Sequence, residues 1–302
     1  MNSKEKIGNR FNKMTKNQHY VPKFYLDNFC NNEGLLTQYD IIGGQYDNRS
    51  PKVICNKNYL YDIRWQAPNE DIGKFVFANH LENEFMVREG EYSTLCKKII
   101  GLCLNPNNKG AIICYRREKE LLADFVANMF LRNPCVLDAN KAGFTPSFIV
   151  EEMKKTENGV VDTIGADNVV SLVKVLRQYD FLSNNVPGGL HQQIKEIIGE
   201  MKLLFWVTKD DSFITSNNPV IVDFDEKPKR IYRSFFLPLC PKCAVLFHNF
   251  ELDSRYKNKI KYISTECAYS FNRMYLELGD NVVNYLYAKN NNQVKGTLAF
   301  KP

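Results

Sequence analysis

The hydrophobic and polar positions change rhythm twice along the chain. Up to about Tyr61, short apolar stretches alternate with turn-forming residues. Leu35 to Ile41 alternates weakly before Gly43 and Gly44, and Lys52 to Cys55 and Tyr59 to Asp62 read as brief strands. From Lys74 to Cys103 the apolar residues recur at helical spacing, until Asn105-Pro106-Asn107 ends the run. A second helix is predicted from Arg116 to Asn133, stopped by Pro134. Helical patterns also cover Pro146 to Lys155, Ala166 to Leu182 and Leu190 to Gly199, with a breaker from Asn184 to Gly189 between the last two. Beyond Met201 the pattern is that of strands: Leu203 to Thr208, Ser212 to Thr215, Val220 to Phe224, Ile231 to Leu237 and Cys243 to Asn249. The gaps between them are too short for helical crossovers, which predicts mainly antiparallel pairing. A helix at Phe271 to Leu278 and a strand within Val282 to Lys289 close the pattern.

These elements predict an α+β fold in which a helical middle region packs on one face of a mainly antiparallel, mostly C-terminal sheet. Residues 18–302 read as a single domain, helix-rich over 74–200 and strand-rich over 201–289, behind a basic and flexible N-terminal tail, 1–17. The chain has 302 residues, of which 44% are hydrophobic and 25% charged, enough to bury a sizeable core. No stretch approaches the ~20 apolar residues of a bilayer-spanning helix, so no membrane is expected as a partner. Met1 to Lys16 has neither the apolar segment nor the cleavage site of a secretory signal. The 9 cysteines are an odd number and several lie in apolar segments, so a reducing, cytoplasmic location is expected. The net charge of +6, concentrated before Tyr20, favours a polyanion, and nucleic acid or a nucleotide is the partner it suggests.

Some charged residues fall where apolar ones belong. The stripe Phe75, Ala78, Phe85, Tyr92, Cys96 and Ile99 of the long helix is interrupted by Glu82 and Glu89, seven residues apart and therefore close in angle around the axis. A buried carboxylate must be salt-bridged, protonated, metal-bound or beside a wet cavity. The second helix offers an answer, because its apolar line through Leu121, Leu122, Phe125 and Met129 continues into Arg132. Asp124, Asn128 and Arg132 also form a polar row at i, i+4 and i+8. Two readings remain open: an internal structural network, or the lining of a polar pocket in which a carboxylate acts as a base or binds a cation. His19 and the polar turn Thr215-Ser216-Asn217-Asn218-Pro219 are further candidates.

Several chemistries are disfavoured. Cys240-Pro241-Lys242-Cys243 has zinc-knuckle spacing but no second pair follows, leaving only Cys267 and His248 as soft ligands nearby. There is no phosphate-cradling glycine loop and no nucleophile elbow. His19, His80, His191 and His248 lack the spacing of a zinc protease.

The opening His19-Tyr20-Val21-Pro22, followed by Lys23-Phe24-Tyr25-Leu26-Asp27-Asn28-Phe29, resembles that of the bacterial proteins grouped as domain of unknown function family 4238. Further pieces occur in matching order: Glu82 and Glu89, Arg132-Asn133-Pro134, Phe213 to Pro219, Leu237 to Pro241, and Asn272. The resemblance runs from about Gln18 to Lys289. One departure is Asn217, which stands where the family usually has Asp. An amide there can donate and accept hydrogen bonds but cannot carry a carboxylate's charge. The resemblance implies no settled activity, although some members are associated with defence against phage.

The expected site brings His19, Glu82, Glu89 and Arg132 together as catalytic residues, with Asn128, Ser216, Asn217 and Asn272 as substrate-binding residues. Hydrolysis of a phosphodiester or nucleotide is the expected reaction of a toxin-like defence effector. Glu82 and Glu89 would hold a divalent cation such as magnesium or act as base, His19 would transfer a proton, and Arg132 would stabilise phosphate charge. The alternative is a sensor or interaction protein in which the same cluster is structural.

Overall fold

The computed structural model describes residues 15–64, 75–108, 113–142, 151, 166–225, 231–250, 259–279 and 281–301. Residues 1–14 of the expected tail, and the helix expected at Pro146 to Lys155 apart from Glu151, lie outside them. The fold is α+β, and its centre is a five-stranded sheet. Strands β7 (Lys202–Val207), β9 (Ile221–Asp225), β10 (Ile231–Cys240), β11 (Cys243–His248) and β12 (Ile260–Tyr262) lie in the order β12-β7-β11-β10-β9. All neighbours are antiparallel except β12, which runs parallel to β7.

This sheet is buried on both faces. Successive side chains of a strand point to opposite sides, and both sets are apolar here. Leu203, Phe205 and Val207 of β7, with Val245 and Phe247 of β11, face one core, whereas Leu204 and Trp206, with Ala244 and Leu246, face a second. The first core lies under helices α2 (His80–Leu104), α3 (Arg116–Leu131) and α6 (Leu190–Glu200), the helical middle that the sequence predicts. The second lies under α7 (Thr265–Glu277) and α8 (Asn291–Ala299). The helical middle thus covers one face as expected, and the C-terminal helices cover the other, which is why these strands are apolar on both sides.

A second sheet joins the two ends of the chain. Its order is β3-β2-β13-β8, with β2 (Leu36–Asp40) and β3 (Tyr46–Arg49) from the N-terminal region and β8 (Thr215–Ser216) and β13 (Tyr285–Ala288) from the C-terminal half. Two short pairs complete the strands: β1 (Asn17–His19) with β4 (Asn56–Asn58), and β5 (Ile63–Arg64) with β6 (Phe75–Val76). Lys52 to Cys55 and Tyr59 to Asp62, expected as strands, are turns flanking β4, where Cys55 and Tyr59 take positive φ.

The long helix starts at His80 rather than at Lys74. Phe75 and Val76 are spent in β6, and Asn79 takes a left-handed conformation immediately before the first turn. Pro134 does more than stop α3. Proline suits the first position of a helix, and a helix, α4 (Pro134–Ala142), begins there, with Asn133 Oδ1 accepting from the Cys135 N–H at 3.0 Å. Helix α5 (Ala166–Leu182) turns tightly into α6 through Gly189. Among the described residues no helix is long and apolar enough to cross a membrane.

Gly189 shows how tight that turn is, because a Cβ there would lie 2.7 Å from the Asp180 carbonyl oxygen. Gly189→Ala is expected to cost about 1–3 kcal/mol through this overpacking. Gly101→Ala, in open space on α2, should instead gain about 0.5–1 kcal/mol by restricting the unfolded chain. Urea unfolding midpoints that move in opposite directions check the pair.

Candidate functional site

Arg132 is the centre of the site. It caps the C-terminus of α3 with helical backbone angles and is 1% exposed. The apolar line of α3 explains why its side chain turns inward: Phe125 and Met129, on the same face, are buried in the first core. The guanidinium lies with its central carbon 4.2 Å from the Phe85 ring centroid and 5.5 Å from that of Tyr61. Its Nε–H donates to the Tyr61 hydroxyl at 3.0 Å. Nη1 donates to Glu89 Oε1 at 2.7 Å and to Asn128 Oδ1 at 3.3 Å, and Nη2 donates to the His19 carbonyl. One cation thus ties α2, α3, β1 and the turn at Tyr61 together.

His19 ends β1, whose position is fixed by its neighbour. Gln18 is fully buried, donates to Asp62 at 2.6 Å and accepts from the Tyr61 N–H at 2.8 Å. Tyr61 in turn donates to the His19 carbonyl at 3.2 Å. The His19 backbone is therefore held from two sides, by Tyr61 and by Arg132. Its imidazole is half-buried and Nε2 has no hydrogen-bond partner. Burial lowers its pKa below 6.5; the backbone at Pro51 and Glu89 oppose this, while Arg132 adds to it. The ring is accordingly neutral at neutral pH.

The two glutamates sit on one face of α2, as their spacing predicts, but in different environments. Glu89 pairs with Arg132, and its side chain keeps 27% exposure. Glu82 lies two turns nearer the helix N-terminus, and its Oε2 is buried without a partner. Burial raises its pKa from 4.5 to about 7; attraction to Arg132 only partly offsets this, and Glu89 and Asp62 push it further up. The arrangement therefore holds a carboxyl group whose pKa lies near neutrality and an imidazole kept neutral by burial. Both have an open hydrogen-bonding atom, and both are organised around a guanidinium.

His19, Glu82, Glu89 and Arg132 are brought together, with Asn128 touching Arg132. The remaining expected residues are engaged elsewhere. Asn217 connects to the cluster only through its backbone, whose carbonyl accepts from Asn133 at 3.0 Å. Its side-chain oxygen accepts from the N–H groups of Asn284 and Tyr285, and its amide donates to Val282. Ser216 is committed to the backbone of Asn218. Asn272 lies in the second core, across the five-stranded sheet, where it bonds to Ser212, Ile214 and Thr297. These three side chains brace the segment Ser212 to Pro219, which is buried although its turn, Thr215 to Pro219, is polar. Among the described residues no three His, Cys, Asp or Glu side chains are grouped as a metal site requires.

The sequence reading missed Tyr61 and Gln18. Gln18 directly precedes the opening motif, but nothing in the local pattern marks Tyr61 as a partner of an arginine about seventy residues downstream.

A family model described as a protein of unknown function (DUF4238) matches residues 17–291. No curated protein and no solved structure matches the chain.

Two measurements follow from this geometry. Arg132→Met should destabilise the protein by about 3–5 kcal/mol, because Glu89 and the His19 carbonyl lose their buried partner; chemical denaturation reads this. Glu82 should also impose a pH slope. Its folded pKa is raised, so its contribution is complete below about 4.5 and is lost as pH rises through about 7. That displacement corresponds to roughly 3 kcal/mol. Urea midpoints between pH 5 and pH 8 should fall for the native chain and stay flatter for Glu82→Gln.

Proposed function

The chain belongs to DUF4238, a family of proteins of unknown function, and we propose that it is a hydrolase whose acid–base centre is formed by Glu82 and His19. The observation carrying this reading is that Glu82 Oε2 and His19 Nε2 are both buried without partners in the cluster around Arg132, where the Asn128 amide nitrogen is likewise without one. Unpaired buried polar atoms are costly, and of those around Arg132 the Glu82 carboxyl and the His19 imidazole are groups that can exchange protons. Glu82, with its pKa near 7, is suited to donate a proton to a leaving group. His19, kept neutral by burial, is suited to take one from an attacking water.

Arg132 enters this scheme as a positioning residue. Four of its five N–H donors are committed to Tyr61, Glu89, Asn128 and His19, so the reading does not use it as an anion clamp. Glu89 is likewise committed to Arg132, which leaves Glu82 as the carboxyl group that the reading uses. For substrate, the net charge of +6 favours an anion, and phosphodiesters of nucleic acid or nucleotides are the proposed class. We place this hydrolase in a toxin-like role in bacterial defence against phage, with which some members of the family it resembles are associated, and the odd number of cysteines favours a reducing, cytoplasmic location.

A second reading, in which the cluster is structural within a sensor or interaction protein, is favoured by the same internal saturation of Arg132. Mutation separates the two. Purified protein should hydrolyse RNA, DNA or nucleotides with a bell-shaped pH dependence, falling on the alkaline side near 7 as Glu82 ionises and on the acid side as His19 protonates. Glu82→Gln and His19→Ala should each lower the rate by about 10²–10⁴-fold, with little change in melting temperature at pH 5, where the Glu82 carboxyl is protonated. Absence of hydrolysis, or variants that lose stability while keeping their rate, would overturn the catalytic reading.

A further inference from the structure

The turn between β10 and β11 carries Cys240-Pro241-Lys242-Cys243, a motif without the second pair that a zinc knuckle requires and without a part in the Glu82–His19 centre. Cys240 and Cys243 oppose each other as the last pair of the ladder, joined by Pro241 and Lys242. Opposed residues of an antiparallel pair carry their side chains on one face, with Cα atoms about 4.5–5.5 Å apart. That spacing lies inside the ~4.4–6.8 Å that a disulfide spans. Both cysteines belong to the first core, and both are free thiols.

The turn is held in place from outside. The Pro241 carbonyl accepts from the N–H groups of Ser212 and Phe213 at 2.7 and 2.9 Å, and the Lys242 carbonyl accepts from the Thr208 N–H at 3.0 Å. A rearrangement of the turn that parted the two sulfurs would break these bonds. The two thiols differ in access. Cys240 is 7% exposed, whereas Cys243 is fully buried and in hydrogen-bonding contact with the buried thiol of Cys103 on α2. Burial pushes the Cys240 thiol up to about 11, and the N–H groups of Lys242 and Cys243 oppose this by favouring its thiolate. The Cys103 contact and burial raise Cys243 well above its usual range. Cys240 is therefore the sulfur that a small oxidant reaches, and Cys243 the one placed to answer it. Scarce thiolate keeps the pair inert toward mild oxidants.

We propose that Cys240 and Cys243 are a redox-responsive dithiol, a site of reversible modification that hydrogen peroxide closes to a disulfide across the turn carrying Ser212 and Phe213. The Cys240 thiolate attacks one peroxide oxygen. The O–O bond breaks, and the hydroxide released takes up the proton of the Cys240 thiol as water. The Cys243 sulfur then displaces the hydroxyl of the Cys240 sulfenic acid, which forms the S–S bond and releases a second water carrying the Cys243 proton. Two thiols lose two electrons and one peroxide is reduced to two waters. So short a loop removes little chain entropy when it closes, which suits the bond to reversible closure rather than to stapling the fold. Transient disulfides of this kind are the ones a reducing compartment admits.

The test is peroxide treatment of the whole, previously reduced chain, then alkylation of the remaining thiols in urea and tryptic mapping without reductant. Cleavage after Lys242 separates Ser234–Lys242 from Cys243–Arg255, so the disulfide joins two peptides whose combined mass is their sum less two hydrogens. This species should form in the folded chain and vanish on treatment with dithiothreitol. In Cys240→Ser, oxidation of Cys243 should fall at least tenfold. Any of four outcomes overturns the site: both cysteines recovered alkylated after peroxide, a crosslink that forms only once urea unfolds the chain, Cys243 joined to Cys103 instead of Cys240, or Cys243 oxidised as readily in Cys240→Ser as in the native chain.

Discussion

A buried guanidinium needs acceptors on every side, and that requirement organises the helical face of this protein. Arg132 meets it with a carboxylate from α2, an amide from its own helix, a phenol from the turn at Tyr61 and a carbonyl from β1. None of these groups is close to another in sequence except Asn128. Satisfying the cation therefore fixes the N-terminal segment against the helices, and the position of His19 is a by-product of that constraint. The desolvation of so large a charge is costly, and the aromatic faces of Phe85 and Tyr61 recover part of the cost.

The same economy of space separates the roles of Glu82 and Glu89. They are equivalent in helical phase, yet Glu89 reaches the guanidinium and Glu82 does not have a direct bond to it. Their difference comes from depth along α2 rather than from residue type. Burial without a partner is what raises the pKa of Glu82 to about 7.

The inward Glu82, Glu89 and Arg132 were legible because a charge interrupting an apolar stripe is visible in one dimension. The long helices and most strands of the large sheet were legible for the same reason. The second apolar face of that sheet was present in the sequence as runs such as Leu203 to Val207, which alternation alone does not explain. Helix α8 was missed although its start is marked: Asn290 and Gln293 form a reciprocal capping box. Asn217 and Asn272, expected as ligand contacts, brace backbone instead of joining the cluster, and a buried amide has the same sequence signature in either role. Only the partners distinguish them, and those come from distant segments.

The seam between the chain's two ends has a consequence for biosynthesis. β13 sits between β2 and β8, with Thr37 opposite Ala288, a separation of roughly 250 residues. Pairings of such long range are slow to form. During translation β2 and β3 emerge first and wait, with one edge unmatched, until β13, roughly 250 residues later, has left the ribosome. Nascent-chain vulnerability is therefore concentrated in this hairpin, whose open edge is a target for holding chaperones or for self-association before the last strand arrives.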